Sequence, residues 1–329
     1  MESITKNRQT YDTLAAMVER AYGPDAVPTE PDGWADELGH GWFNVAYRIR
    51  LRDGRDVVLK IAPPPGVEVM TYEHGAMGIE LASLAMITAQ TDVPVPPVHV
   101  ADTSCELVDA PYFFMPFVDG DNLGIVKDTL DPAVREDCME QLGTANRELN
   151  SIRGDWFGPV AGPGHTTWRA AFGQIMDDVL ADGERRRVDI GHSYDDVRAV
   201  VAAHADALDA VTEPRFVEWD LWDSNVMVRD GKIACIIDHE RALYGDPLME
   251  AGFVGTQLPA FGDPAPFVRG YGWGELTENE TVRRRLYCLH LVLIMVIETV
   301  YRGHTDTQQY DWARGQLDET LALLGHGAA

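Results

Sequence analysis

Between Phe216 and Pro247 the chain reads FVEWDLWDSNVMVRDGKIACIIDHERALYGDP, with three polar residues, Asp220, Asn225 and Asp238, set in largely apolar sequence. Val226–Val228 and Ile233–Ile237 are short apolar runs on either side of Arg229-Asp230-Gly231-Lys232, and Asp-Gly between apolar runs signals a β-hairpin. A turn centred on Asp230 and Gly231 pairs residues whose numbers add to about 461. Asn225 should then face Ile236, with Asp238 just past it at the same open end. One hairpin would deliver an amide and a carboxylate to one spot, with Asp220 on the loop leading in. Two oxygen ligands and a separate carboxylate suit magnesium-dependent phosphoryl transfer. The hard cation takes oxygen ligands, and the free carboxylate accepts the proton of an attacking hydroxyl.

Asp220 and Asn225 keep the interval of a kinase catalytic loop, in which Asp is followed five positions later by Asn and then by a metal-binding Asp. The stretch resembles the aminoglycoside phosphotransferase and choline-kinase-like family, whose fold is protein-kinase-like. That family reads His-Gly-Asp-Leu-x-x-x-Asn, then a strand ending in Ile-Asp-Trp-Glu. Here the lines are Glu218-Trp219-Asp220-Leu221-Trp222-Asp223-Ser224-Asn225 and Ile237-Asp238-His239-Glu240. Asp220, Asn225 and Asp238 match; Glu218 replaces the usual His, and His239 the usual Trp. The resemblance implies that Asp220 is the base or hydroxyl orienter and that Asn225 and Asp238 hold Mg2+.

The composition narrows the partners. At 329 residues the chain can bury a sizeable core and is expected to divide into two lobes. Its net charge of −26 argues against nucleic acid, which needs a basic surface, and favours a cationic small molecule by long-range attraction. Cys105, Cys138, Cys235 and Cys288 form no CxxC pair, so no zinc site or disulfide framework is expected, and a reducing compartment fits. The N-terminus mixes charges throughout and has no signal-peptide core. The longest apolar run, Leu289–Ile297, is broken by His290 and too short for a bilayer. The expectation is a cytoplasmic protein with no membrane partner.

Upstream, Leu14, Met17, Val18, Ala21 and Tyr22 fall at helical spacing before Gly23. Leu38-Gly39-His40-Gly41-Trp42-Phe43-Asn44 then precedes an alternating strand, an Asp53-Gly54 turn and a second strand. Gly39 and Gly41 would let backbone approach a phosphate closely. Lys60 stands alone among Val57–Ile61, a costly place for a cation unless paired. In kinase-like folds such a Lys holds the nucleotide phosphates and pairs with a helix Glu. A helix over about residues 69–91 offers Glu73 and Glu80 on one face. Glu80 is preferred, because family members place the Glu about one helix length before a Val-Pro-x-Pro strand start, here Val93–Pro96.

Residues 111–118, PYFFMPFV, resemble the linker between lobes, where the backbone around Met115 to Phe117 would hold an adenine-like base. A helix over 132–152 ends in Leu149-Asn150, where the family has Leu-His. Glu298 interrupts an apolar helix, either as a buried pair with Arg302, the favoured reading, or as a substrate contact. Asp246 orders its loop rather than reacting. An extra acid at Glu218 beside Asp220 and Asp238 calls for a partner, with Arg241 or another large-lobe Arg favoured.

The expected architecture is therefore α+β: a protein-kinase-like two-lobed fold with a β-rich small lobe, residues 1–115, and a mostly helical lobe, residues 116–329. The expected activity is transfer of the γ-phosphate of ATP or GTP to a hydroxyl of a small, cationic acceptor, an aminoglycoside-type antibiotic first. Choline, homoserine or a sugar as acceptor, or a nucleotide-binding pseudokinase, are the alternatives, and a monomer or homodimer fits.

Overall fold

The computed structural model describes residues 3–39, 41 and 43–326. His40 and Trp42 of the glycine-containing turn lie outside the described residues. By compactness the chain forms two units, Met1–Glu68 with Pro96–Asp119, and Val69–Val95 with Gly120–Ala329. Residues 69–95 belong to the second unit, and Asp119 and Gly120 stand on either side of the division.

In the first unit, α1 (Tyr11–Tyr22) starts where Thr10 accepts a hydrogen bond from the Thr13 amide, and it buries Leu14, Met17 and Val18 as the spacing predicted. The sheet holds β1 (Ala35–Glu37), β2 (Val45–Arg50), β3 (Asp56–Ile61), β4 (Val100–Asp102) and β5 (Tyr112–Pro116) in the order β1-β2-β3-β5-β4. The β2–β3 hairpin turns through Gly54 at φ 85°, a left-handed conformation that suits glycine. Strand β3 is central and buried on both faces, so Lys60 lies in the sheet interior opposite Ala46 and Phe113.

In the second unit, the helix expected over 69–91 is shorter. A 3₁₀ turn, Thr71–Glu73, precedes Gly75 at φ 77°, and α2 (Ala76–Gln90) starts only after it. Asp182 pins Thr71 through its amide (2.6 Å) and hydroxyl (2.7 Å). Glu73 caps the Met70 amide at 2.8 Å and pairs with Arg302. Glu73 and Glu80 therefore do not share a helix.

The remaining elements are β6 (Asp121–Asn122), α3 (Leu123–Val126), α4 (Pro132–Leu149), β7 (Gly158–Pro159), α5 (Trp168–Arg186), α6 (Tyr194–His204), β8 (Arg215–Val217), β9 (Val226–Arg229), β10 (Lys232–Ile236), β11 (Leu243–Gly245), α7 (Ala265–Tyr271), α8 (Glu278–Tyr301) and α9 (Gln308–Leu323). The core gathers around α8, whose residues Leu286–Ile294 are buried on every side, beneath Trp168 and Phe172 of α5. A capping box, Thr277 with Glu280, begins α8. No helix among the described residues is long and apolar enough to cross a membrane.

Strands β9 and β10 form the expected hairpin, but its register changes partway. Lys232 faces Arg229 and Ile233 faces Val228 as a turn on Asp230-Gly231 dictates. A bulge between Ile233 and Cys235 then shifts the pairing by one, so Ile236 faces Val226 rather than Asn225. The Ile237 amide bonds to the Asn225 carbonyl at 2.9 Å, and Asp238 follows directly. Because side chains alternate with period two, this one-residue slip re-aims the end of the strand.

Candidate active site

The loop between β8 and β9 is built around Glu250, a fully buried carboxylate from the far side of β11. Its Oε2 accepts from Asn146 Nδ2 (2.9 Å) and the Glu218 amide (3.2 Å), and its Oε1 from the amides of Leu221 (3.0 Å) and Ala251 (3.1 Å). Burial, together with the charge of Glu218, pushes the Glu250 pKa up to about 7, against the pull of those N–H bonds. A carboxyl whose folded pKa is raised above its unfolded value of 4.5 stabilises the fold fully below that value. That contribution is lost as pH rises through about 7. Stability should thus fall by on the order of 2–3 kcal/mol between pH 5 and pH 8.5. Denaturant titrations across that range check this. A Glu250→Gln variant, which cannot titrate, should show a clearly flatter profile, and an equally steep one would remove Glu250 as the cause.

Held by this hub, Asp220 stands half-buried. Its Oδ1 accepts from the Trp222 indole N–H at 2.8 Å and lies 3.4 Å from Arg241 Nη1. Burial is the main influence on its pKa, raising it to about 6. Arg241 and the Trp222 N–H oppose that shift and Asp238 adds to it. At neutral pH the carboxylate is mostly ionised and can accept a proton. Arg241 lies over the rings of Tyr72 and Trp219, 5.2 Å from each centroid.

Asn225 Nδ2 donates to the Asp220 carbonyl at 2.8 Å, which leaves Oδ1 as the atom a hard cation would take. Asp238 adopts φ 71°, left-handed for a non-glycine residue. Ligand oxygens of Asp238, Glu80 and Glu240 lie within 4.8 Å of one another. An all-oxygen set of this kind matches Mg2+ in its chemistry. The sequence offers Glu240 only as the end of the Ile237–Glu240 line, and Glu250 stands in no motif. Both are buried acids next to an ordered loop, a placement that no residue spacing reveals.

Two expected pairings are corrected. Glu218 is partnered by His239, Oε1 to Nδ1 at 2.7 Å, and both are buried at 3% and 1% exposure. Arg241, the partner favoured on sequence, belongs to Asp220. Burial alone would lower the His239 pKa, but the Glu218 carboxylate, backed by Glu80 and the Ile236 carbonyl, raises it. Arg302 pairs with Glu73, while Glu298 accepts from Gln309 Nε2 at 2.8 Å. Asn150, the third departure from the family pattern, donates to the Phe216 carbonyl at 2.6 Å and so braces the strand that feeds the loop. Asp246 bonds to Arg283 (2.7 Å), to the Tyr287 hydroxyl (2.6 Å) and to the Leu248 amide (3.1 Å), an ordering role as expected.

In the first unit Lys60 is buried at 8% exposure. Gly39 follows β1. Gly41 lies near Asn44, whose carbonyl accepts from Lys6 Nζ at 2.8 Å. Met115 faces Val58 on β5, and the Phe117 amide is already bonded to the Asp56 carbonyl at 3.2 Å.

A sequence pattern described as the phosphotransferase enzyme family matches residues 34–286. Two curated relatives, subtelomeric hrmA-associated cluster proteins of two Aspergillus fumigatus strains, are each 25% identical over 163 residues, 47% of this chain and 31% of theirs. The match thus spans under a third of those relatives. Among solved structures, a thermostable mutant of the aminoglycoside phosphotransferase APH(4)-Ia, in complex with ADP and hygromycin B, superposes with a TM-score of 0.63 at 19% identity, over 96% of this chain and 99% of that one. The streptomycin–ATP complex of APH(2")-IIa does so with a TM-score of 0.60 at 14% identity, over 98% and 100%. With Asp220, Asn225 and Asp238 inside the matched span, the chain belongs to the phosphotransferase enzyme family and has a protein-kinase-like α+β fold.

Proposed function

We propose that this phosphotransferase moves the γ-phosphoryl group of ATP or GTP to a hydroxyl of a small cationic acceptor, an aminoglycoside-type compound first. The observation that carries the reading is Asp220, ionisable near neutrality and fixed by Trp222 and Arg241, with the Asn225 amide bonded to its own carbonyl. Asp220 orients the acceptor hydroxyl and takes its proton. Asn225 and Asp238 would supply oxygens for Mg2+, which would neutralise charge on the phosphates. Lys60 positions the phosphates, Gly39 and Gly41 line their loop, and the backbone around Met115 and Phe117 takes the base. The departures that would favour a non-catalytic pseudokinase, Glu218 and Asn150, are each built into the loop's support.

Turnover of ATP and GTP with Mg2+ should be measured against hygromycin B, streptomycin, choline and homoserine. Phosphorylation of a cationic ring compound supports the reading, and no Mg2+-dependent transfer to any of them sinks it. Lys60→Ala should weaken ATP binding at least tenfold by calorimetry, about 1.4 kcal/mol, with the fold retained. Unchanged affinity would remove Lys60 from the phosphate site. Steering by the −26 charge should also make the acceptor's kcat/KM fall as salt rises, because the screening length shrinks from about 10 Å at 0.1 M to about 3 Å at 1 M. A neutral acceptor with full activity and no salt response would refute a cationic preference.

A further inference from the structure

We infer that Glu218 and His239 act as a positioning dyad that sets Asp220 against Asp238, an assignment that rests on the phosphotransfer reading above. The two residues are distant in sequence but bonded at 2.7 Å in the interior of the second unit. The proton arrangement follows from their surroundings. His239 Nε2 lies 3.1 Å from the Ile236 carbonyl, which can only accept, so Nε2 carries a hydrogen. Nδ1 faces Glu218 Oε1, so the imidazole ties the carboxylate to the Ile236 carbonyl.

The dyad's backbone neighbours show what it holds. Trp219, directly after Glu218, has φ 46°, and Asp238, directly before His239, has φ 71°. Non-glycine residues keep such angles only where the surroundings over-determine them, at a cost of roughly 1–3 kcal/mol each. One strained residue thus abuts each member of the dyad, and each separates or joins that member to a reacting residue. Trp219 leads into Asp220, and Asp238 is itself the proposed ligand. The Glu218–His239 bond clamps the two strained segments together. Without it both can relax, and the spacing of base and metal oxygens drifts. A misplacement of about 1 Å can cost on the order of 100-fold in rate.

The test uses full-length Glu218→Gln, Glu218→Ala, His239→Ala and the double exchange Glu218→His with His239→Glu. Turnover is normalised to folded protein, and Mg2+ binding is measured by calorimetry with nucleotide present. Each alanine variant should lose at least tenfold in kcat and weaken Mg2+ binding severalfold, with KM for the nucleotide within about twofold of wild type. Glu218→Gln, which keeps a hydrogen-bonding partner, should lie between wild type and Glu218→Ala. The double exchange should recover most of both losses. Variants that melt earlier but keep wild-type kcat and Mg2+ affinity per folded molecule would overturn the dyad and leave a plain structural brace. So would a double exchange no better than its single parents. If the alanine variants do not fold, Glu218→Gln alone decides, because unchanged Mg2+ affinity in it contradicts the coupling. Wild-type protein that binds Mg2+ with nucleotide but transfers nothing would overturn the phosphotransfer reading instead, while the calorimetry still scores the dyad.

Discussion

Asp220→Ala is expected to reduce turnover by about 100- to 10,000-fold, the range that positioned proton transfer supplies, while the fold stays close to wild-type stability. The activity arm follows from position. Asp220 is fixed by an indole N–H at 2.8 Å and faces Arg241, in a loop where Asn225 Nδ2 donates to the Asp220 carbonyl. The stability arm follows from sign. Burial raises the Asp220 pKa from 3.8 to about 6, so at neutral pH its ionised form costs the folded state on the order of 2–3 kcal/mol. Removing the carboxylate relieves that cost. It also leaves the Trp222 N–H and the Arg241 guanidinium without their partner, and the two effects oppose each other. Steady-state rates and denaturant melts on the same preparation check both arms. Near-wild-type turnover would end the assignment of Asp220 as the proton acceptor. Lost turnover accompanied by a large loss of stability would mean that the residue is mainly a structural support.

Glu250→Ala should behave in the opposite way, with a loss of roughly 3–5 kcal/mol of stability, the usual penalty for removing one partner from a buried polar network. Four N–H donors, from Asn146, Glu218, Leu221 and Ala251, would lose their acceptor in a site closed to water. Each buried donor left unmet costs about 1–3 kcal/mol. The melting temperature should fall by roughly 6–15 °C. Two of the donors bracket Asp220 in the chain, so the protein that remains folded should also turn over slowly, with poorly saturable Mg2+ dependence. Glu250→Gln, which keeps one acceptor oxygen, should fall between wild type and alanine. A Glu250→Ala protein as stable as wild type would show that water replaces the carboxylate and that the loop does not depend on this hub.

The local structure was legible in the sequence where it depends on neighbours along the chain. The Asp230-Gly231 turn, the alternating strands around Asp53-Gly54 and the helical spacing of Leu14, Met17 and Val18 are all short-range patterns, and each formed the element it implied. What the sequence could not show was which distant groups meet. A bulge of one residue in β10 moved the partner of Asn225 from Ile236 to Ile237, and nothing in the run Ile233–Ile237 marks that slip. Glu218 needed a partner by charge alone, but only the fold could choose His239 over Arg241, because both lie within three residues of Asp238 and compete for different acids. Arg302 likewise bonds to Glu73, which is distant in sequence, while the charge of its helical neighbour Glu298 still acts on it. An ion pair in a buried setting forms where desolvation is best repaid by geometry, and that geometry is a property of packed elements rather than of spacing along one of them.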